Sequence, residues 1–131
     1  MEVKIDTKEK FTVVTPIIAV LPDNIAAEWV ETCKAQLLKA VKNTILNLEK
    51  VTEISLPAAN MLMEMQQVFY GQNASFVICG LQSAVEDALE NMELLEMLNV
   101  TPTESEAWDI VQMEEIEREL LDSDDFSFDN N

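Results

Sequence analysis

Within Asn43 to Met65, NTILNLEKVTEISLPAANMLMEM, the apolar period changes from two to 3.6, and few architectures accommodate that change within so short a stretch. The segment opens with Ile45-Leu46-Asn47-Leu48, short enough for a buried strand and too short for a helix with its own core face. It closes with Met61, Leu62, Met65, Val68 and Phe69, whose spacing of three and four is helical. Between them lies Val51-Thr52-Glu53-Ile54-Ser55-Leu56-Pro57-Ala58. Pro57 suits the first turn of a helix, where its missing N–H would have had no partner. A strand passing through a short loop into a helix start brings several backbone N–H groups to one exposed point. That junction is the candidate functional site.

The rest of the chain repeats the alternation. Glu2 to Asp6 and Phe11 to Ile18 read as strands joined by the polar Thr7-Lys8-Glu9-Lys10. Pro16 cannot donate to a ladder, so it marks an edge or the end of regular pairing. Pro22-Asp23-Asn24 breaks the chain and offers Asp23 or Asn24 as the cap of a first helix, with Ala26, Trp29, Val30, Cys33, Leu37 and Val41 on one face. After the second helix, Gly71 is the natural left-handed cap. Ala74 to Cys79 is nearly continuous apolar sequence, as expected for a strand covered on both faces. Gly80 turns into a third helix over Gln82 to Met97, and Asn99 to Pro102 is a short extended piece. Thr103 caps a fourth helix, with Glu106 three residues later and an apolar face of Trp108, Ile110, Val111, Met113, Ile116 and Leu120.

The order β-β-α-β-α-β-α-(β)-α predicts an α/β fold. Single helices between successive strands require right-handed crossovers and a small mixed, largely parallel sheet of four to five strands covered by about four helices. With 131 residues and 48% apolar content, residues 1–120 suffice for one domain with a real core. Residues 121–131, LDSDDFSFDNN, lose the helical period. They read as an acidic, poorly ordered tail, or as an acidic peptide whose Phe126 and Phe128 dock on a basic groove.

Charge excludes some partners. Residues 1–85 carry nine acids and seven lysines, a net of −2, whereas residues 86–131 carry sixteen acids and only Arg118, a net of −15. Such a back half repels phosphates and anionic headgroups, so neither direct nucleic-acid binding nor membrane insertion is expected. No apolar run approaches the roughly 20 residues of a membrane span. The N-terminal MEVKIDTKEK lacks an apolar leader, so a cytoplasmic protein is expected.

Enzymatic chemistry finds little support. The sequence contains no histidine, the commonest general base and metal ligand. Cys33 lies on an apolar helix face and Cys79 ends an apolar strand, so both read as small buried hydrophobes in a reducing compartment. There is no glycine-rich phosphate loop and no nucleophile–base pair. No cofactor, metal or catalytic residue is expected.

The element order, and TILNLEKVTEISLPAANMLMEM in particular, resembles the STAS domain of anti-sigma-factor antagonists and sulphate transporters, from about Val3 to about Met113. Val51-Thr52-Glu53-Ile54 is similar to the family's lead-in to its helix, and Thr103-Glu104-Ser105-Glu106-Ala107-Trp108 to the pattern opening its last helix. The family's Asp-Ser-Ser-Gly-Leu-Gly falls here on Ser55-Leu56-Pro57-Ala58-Ala59-Asn60, which puts the phosphoacceptor serine on Leu56. A leucine has no hydroxyl, so the resemblance implies a domain without the family's switch at that position. Ser55, one residue early, is a possible relocated phosphoacceptor, and alternation in extended chain leaves open whether it faces inward. The family's acidic residue before the first helix falls on Pro22, with Asp23 one place later.

The resemblance thus implies a non-catalytic protein-binding module. Its expected contact residues are Asp23, Ser55, Leu56, Pro57, Asn60, Met61 and Glu64, around the start of the second helix. The implied partner is an anti-sigma factor or switch kinase. The alternative is an accessory subunit of a lipid or anion transporter, partnered by transporter ATPase subunits.

Overall fold

In the computed structural model, which describes residues 2–128, β1 (Glu2–Thr7) and β2 (Thr12–Ile17) form an antiparallel hairpin. The chain continues through α1 (Glu28–Gln36), β3 (Thr44–Asn47), α2 (Leu56–Gly71), β4 (Phe76–Cys79), α3 (Ser83–Asn91), a 3-10 turn at Leu95–Met97, β5 (Val100–Thr101) and α4 (Glu104–Phe128). The five strands lie in the order β1-β2-β3-β4-β5, with every pair after the hairpin parallel. This is the mixed, mostly parallel α/β sheet expected from the alternation.

Strand order dictates where the helices go. Three right-handed crossovers stepping the same way across a sheet place their helices on one face. Val14, Leu46 and Ile78 accordingly point into a core built with α1, α2 and α3, around Trp29, Leu62, Phe69 and Leu89. The alternate residues Val13, Ile45 and Val77 point the other way, where, among the described residues, α4 covers them with Ala107 and Val111. These residues are in register, Val13 with Ile45 and Val77, then Val14 with Leu46 and Ile78. Period two in the sequence therefore becomes two apolar layers. Trp108 closes the back layer by stacking on Phe11 at 4.7 Å between ring centroids.

β2 lies inside the sheet, and Pro16 takes the second of its two expected roles. Parallel pairing with β3 ends at Val14, so the ladder on that side has stopped before Pro16 is reached, while pairing with β1 continues through Ile17. The Thr12 N–H bonds to Asn43 O on the β3 side, and alternation turns the imide nitrogen of Pro16 the same way, where no donor is needed.

A buried asparagine locks the start of the sheet to α4. Asn43 Oδ1 accepts the Ser75 amide at 2.9 Å, and its Nδ2 donates to Glu115 at 2.7 Å and to Lys10 O at 3.2 Å. Arg118 donates to the same Asn43 oxygen and to Ser75 Oγ. A second link joins Tyr70 to α4, the phenol donating to Glu114 Oε1 at 2.7 Å while accepting from Asn99 Nδ2 at 2.6 Å.

Several boundaries differ from the sequence reading. Neither Asp23 nor Asn24 caps α1: Asn24 closes a turn on itself, its Oδ1 accepting from Ala26 and its carbonyl from Ala27. The helix starts at Glu28, with Ala27 at the cap position. α2 ends in a Schellman motif whose left-handed residue is Asn73 (φ 58°), not Gly71. Its signature bonds run from Ala74 N to Phe69 O and from Asn73 N to Tyr70 O. The third helix stops at Asn91, because Glu93 turns left-handed (φ 60°) and Leu94 N closes on Leu89 O.

α4 departs furthest. It buries Ala107 and Val111, but Met113, Ile116 and Leu120, expected on its core face, are exposed. The helix also passes Leu120 and runs to Phe128, since no glycine or proline follows Thr103 to stop it. The stretch expected as a tail at 121–131 is thus helical to Phe128, and residues 129–131 lie outside the described residues.

Candidate partner-docking site

Beyond the carboxyl ends of the parallel strands, two loops run side by side. Thr52 N and Glu53 N both donate to Ala19 O, and Leu21 N donates to Glu53 O. Val20 and Glu53 thereby form a parallel bridge that continues the β2–β3 side of the sheet by one step. Val51 and Ile54 are buried beneath this bridge, so the loop cannot lift away without exposing them. On the other loop, Trp29 Nε1 donates to Pro22 O at 2.9 Å, pinning Pro22–Asn24 against α1.

This arrangement brings Asp23 to Ser55. Ser55 is the N-cap of α2: in extended conformation (φ −88°, ψ 164°), its Oγ accepts the Ala58 amide at 3.2 Å. The same hydroxyl donates to Asp23 Oδ2 at 3.3 Å. Ser55 is therefore turned toward the loop rather than into the core. Leu56 begins the helix and is 51% exposed, and Pro57 follows within the first turn.

Along α2 the apolar period divides the side chains. Ala58, Ala59, Leu62, Met65 and Phe69 are buried, Met61 is half-buried, and Pro57, Asn60, Glu64 and Val68 are exposed. Pro57, Met61, Glu64 and Val68 lie three and four apart and form one wall of a groove of about 290 Å³. Asp23, Ile25, Val30 and Lys34 form the opposite wall and Met65 also lines it. Leu56 and Asn60, four apart, stand on the adjoining strip of the helix.

Of the seven residues named from sequence, Asp23, Pro57, Met61 and Glu64 share this groove, with Ser55 bonded to Asp23 and Leu56 and Asn60 beside it. Sequence reasoning missed Ile25, Lys34 and Val68. Val68 carried a signal, falling seven residues after Met61 and four after Glu64. Ile25 carried none, because only the turn closed by Asn24 leaves it 70% exposed at the groove mouth.

A second loop adjoins the first. Gly80 has φ +73°, and a Cβ there would meet Asn47 Oδ1 at 2.7 Å, so only glycine fits the turn leaving β4. Gln82 Nε2 then donates to Glu49 O at 2.7 Å, tying this loop to the one after β3.

The Ser55 hydroxyl is engaged as both donor and acceptor within the fold. Burial, then the charges of Glu104 and Glu49, push the Cys79 thiol up to about 12, and burial alone does the same for Cys33, so both remain protonated thiols. What the surface presents is an apolar strip rimmed by Asp23, Lys34 and Glu64.

Comparison with known proteins agrees with this architecture. No curated protein sequence matches the chain. Among solved structures, a Thermotoga maritima protein assigned provisionally as an anti-sigma factor antagonist superposes with a TM-score of 0.70 at 17% identity, covering 84% of this chain and 94% of that one. The anti-sigma factor antagonist SpoIIAA in its unphosphorylated form gives 0.66 at 16% identity, over 85% and 96% of the two chains. The murine Solute Carrier 26 family member A9 anion transporter gives 0.57 at 11% identity, over 82% of this chain but 18% of that one. The profile of the STAS domain matches residues 4–107, and the chain belongs to that family.

Proposed function

We propose that this STAS domain is a non-catalytic module that docks a regulatory protein, in the manner of anti-sigma factor antagonists, through the loop and helix start at residues 52–64. One observation carries the reading: an exposed Leu56 in the first turn of α2, beside the Asp23–Ser55 pair and the groove between the two walls. An apolar side chain displayed at a helix start beside a preformed groove is the usual form of a partner anchor. The family's phosphoacceptor position is Leu56, so binding is constitutive, with no phosphate-controlled release. The partner is an anti-sigma factor or switch kinase.

The test uses the full chain as bait, with the captured protein identified by mass and its affinity measured against Leu56→Asp. Capture of a kinase-like anti-sigma factor that is lost in Leu56→Asp supports the proposal. Retention of full affinity by Leu56→Asp overturns the assignment of the surface. The likeness to an anion transporter's STAS region favours one second reading, an accessory subunit of a transporter. Capture of a transport ATPase with its membrane subunit would establish that reading instead.

A further inference from the structure

α4 is amphipathic twice over. Its sheet-facing side carries Ala107, Val111 and, one turn apart, the anchoring Glu114 and Arg118. At 100° per residue, Met113, Ile116 and Leu120 cluster on the opposite side. They are 59%, 54% and 56% exposed. The spacing of three and four is that of a seam between two helices. Trp108 and Ile116 extend the stripe into a hollow of about 230 Å³ that also includes Lys10 and Glu119.

The charge around the stripe selects what covers it. Residues 104–121 contain seven acids and one base. The base, Arg118, is turned to the sheet, bonded to Asn43 and Ser75. Glu117 and Glu119 are exposed and flank the apolar seam, in the places where paired helices set their charged contacts, and the exposed Asp109 stands on the same line one turn before Met113. A second copy would bring these carboxylates against their own kind, and an anionic lipid surface would meet the same repulsion. A basic helix has the opposite relation to all of them. We infer that the outer face of α4 is a second docking surface, independent of the α2 site, for a lysine- or arginine-rich amphipathic helix of a partner protein.

The experiment titrates the full chain with a synthetic 18-residue leucine/lysine peptide of helical period, and with the same pattern built from leucine and glutamate. The lysine peptide should bind at least tenfold more tightly than the glutamate one. Ile116→Asn with Leu120→Asn should weaken it at least tenfold while the circular dichroism spectrum and melting temperature are retained. Ile25→Asn, in the α1–α2 groove, should leave it unchanged. Four results would overturn the inference. One is equal weakening by Ile25→Asn, which puts the peptide in the other groove. Another is unchanged binding in the Ile116/Leu120 variant, which reduces it to unspecific attraction between charges. The third is sedimentation of the native chain as a dimer that this variant dissolves, which makes the occupant a second copy. Binding of the native chain to vesicles of phosphatidylserine and phosphatidylcholine, lost in the same variant, would likewise assign the stripe to lipid.

Discussion

Ser55 and Asp23, thirty-two residues apart in sequence, share a hydrogen bond of 3.3 Å in which the serine hydroxyl donates to the carboxylate. The same oxygen accepts the Ala58 amide, so a single atom caps α2 and fastens the α1 approach to it. Ser55→Ala should therefore destabilise the fold by about 1 kcal/mol, the ordinary cost of a lost N-cap. Asp23→Asn keeps a hydrogen-bond acceptor at an exposed site and should stay within about 0.5 kcal/mol. Urea titration of the two variants checks both values, and an equal loss would mean that the carboxylate charge matters as much as the cap.

Phosphate on Ser55 would place a near-dianion against Asp23 and remove the hydroxyl proton now donated to that carboxylate. Intact mass after incubation with a cognate anti-sigma kinase and ATP should show no phosphate. Stoichiometric modification at Ser55 would make it a relocated acceptor and end the case for constitutive binding.

Leu56 and Leu48 offer a matched pair of substitutions. Leu56 is half exposed, so Leu56→Asp should shift stability by less than about 1 kcal/mol while costing partner affinity several kcal/mol, through the charge a partner must desolvate. Leu48 is fully buried, and Leu48→Asp should prevent folding. If the two variants melt alike, Leu56 belongs to the core and the docking surface lies elsewhere.

Tyr70 gives the protein an alkaline limit. Its phenol is held well above its ordinary 10.0, first by burial, then by donating to Glu114 and by the charge of that carboxylate. A raised folded value means that the stabilisation is complete below about pH 10 and is lost as pH rises through the folded value. At about pH 8, Tyr70→Phe should cost about 1–2 kcal/mol, the range for a part-exposed bond to a charged acceptor. The difference from the native chain should shrink above about pH 10. A constant difference across that range would show that the phenol proton is not the source.

Both thiols should be silent in the folded chain. Cys33 and Cys79 are raised by burial from 9.0 to about 12, so their contribution to stability is complete below about pH 9 and falls off between 9.0 and about 12. A thiol reagent at about pH 8 should label neither in buffer and both in denaturant. Rapid labelling of one in buffer would reveal local opening around it.

What the sequence disclosed was governed by the range of the interactions involved. Strand alternation through Val13-Val14 and Ile45-Leu46 is a local pattern, and it gave both layers of the sheet. Pro57 at the start of α2 and Thr103, whose Oγ1 accepts the Glu106 amide, are local signals too. The left-handed turns at Asn73 and Glu93 were missed because each is closed by packing of the next residue, Ala74 or Leu94, whose burial depends on the whole fold. Met113, Ile116 and Leu120 show the limit most clearly. Periodicity marks an apolar face, but it does not reveal whether the molecule holds anything to cover it. The groove wall from Ile25 and Lys34 likewise depends on where α1 comes to lie.

The stack of Trp108 on Phe11 carries a consequence for how the chain is made. Phe11 immediately precedes β2, the first core strand, and its ring partner belongs to α4. Until α4 is synthesised, Phe11, Val13, Ile45 and Val77 have no cover on the back of the sheet. The front layer can assemble progressively as each crossover helix emerges, whereas the back must wait for α4. The nascent chain thus passes through a stage with one finished face and one open apolar face, a substrate for chaperones that closes only once α4 has emerged.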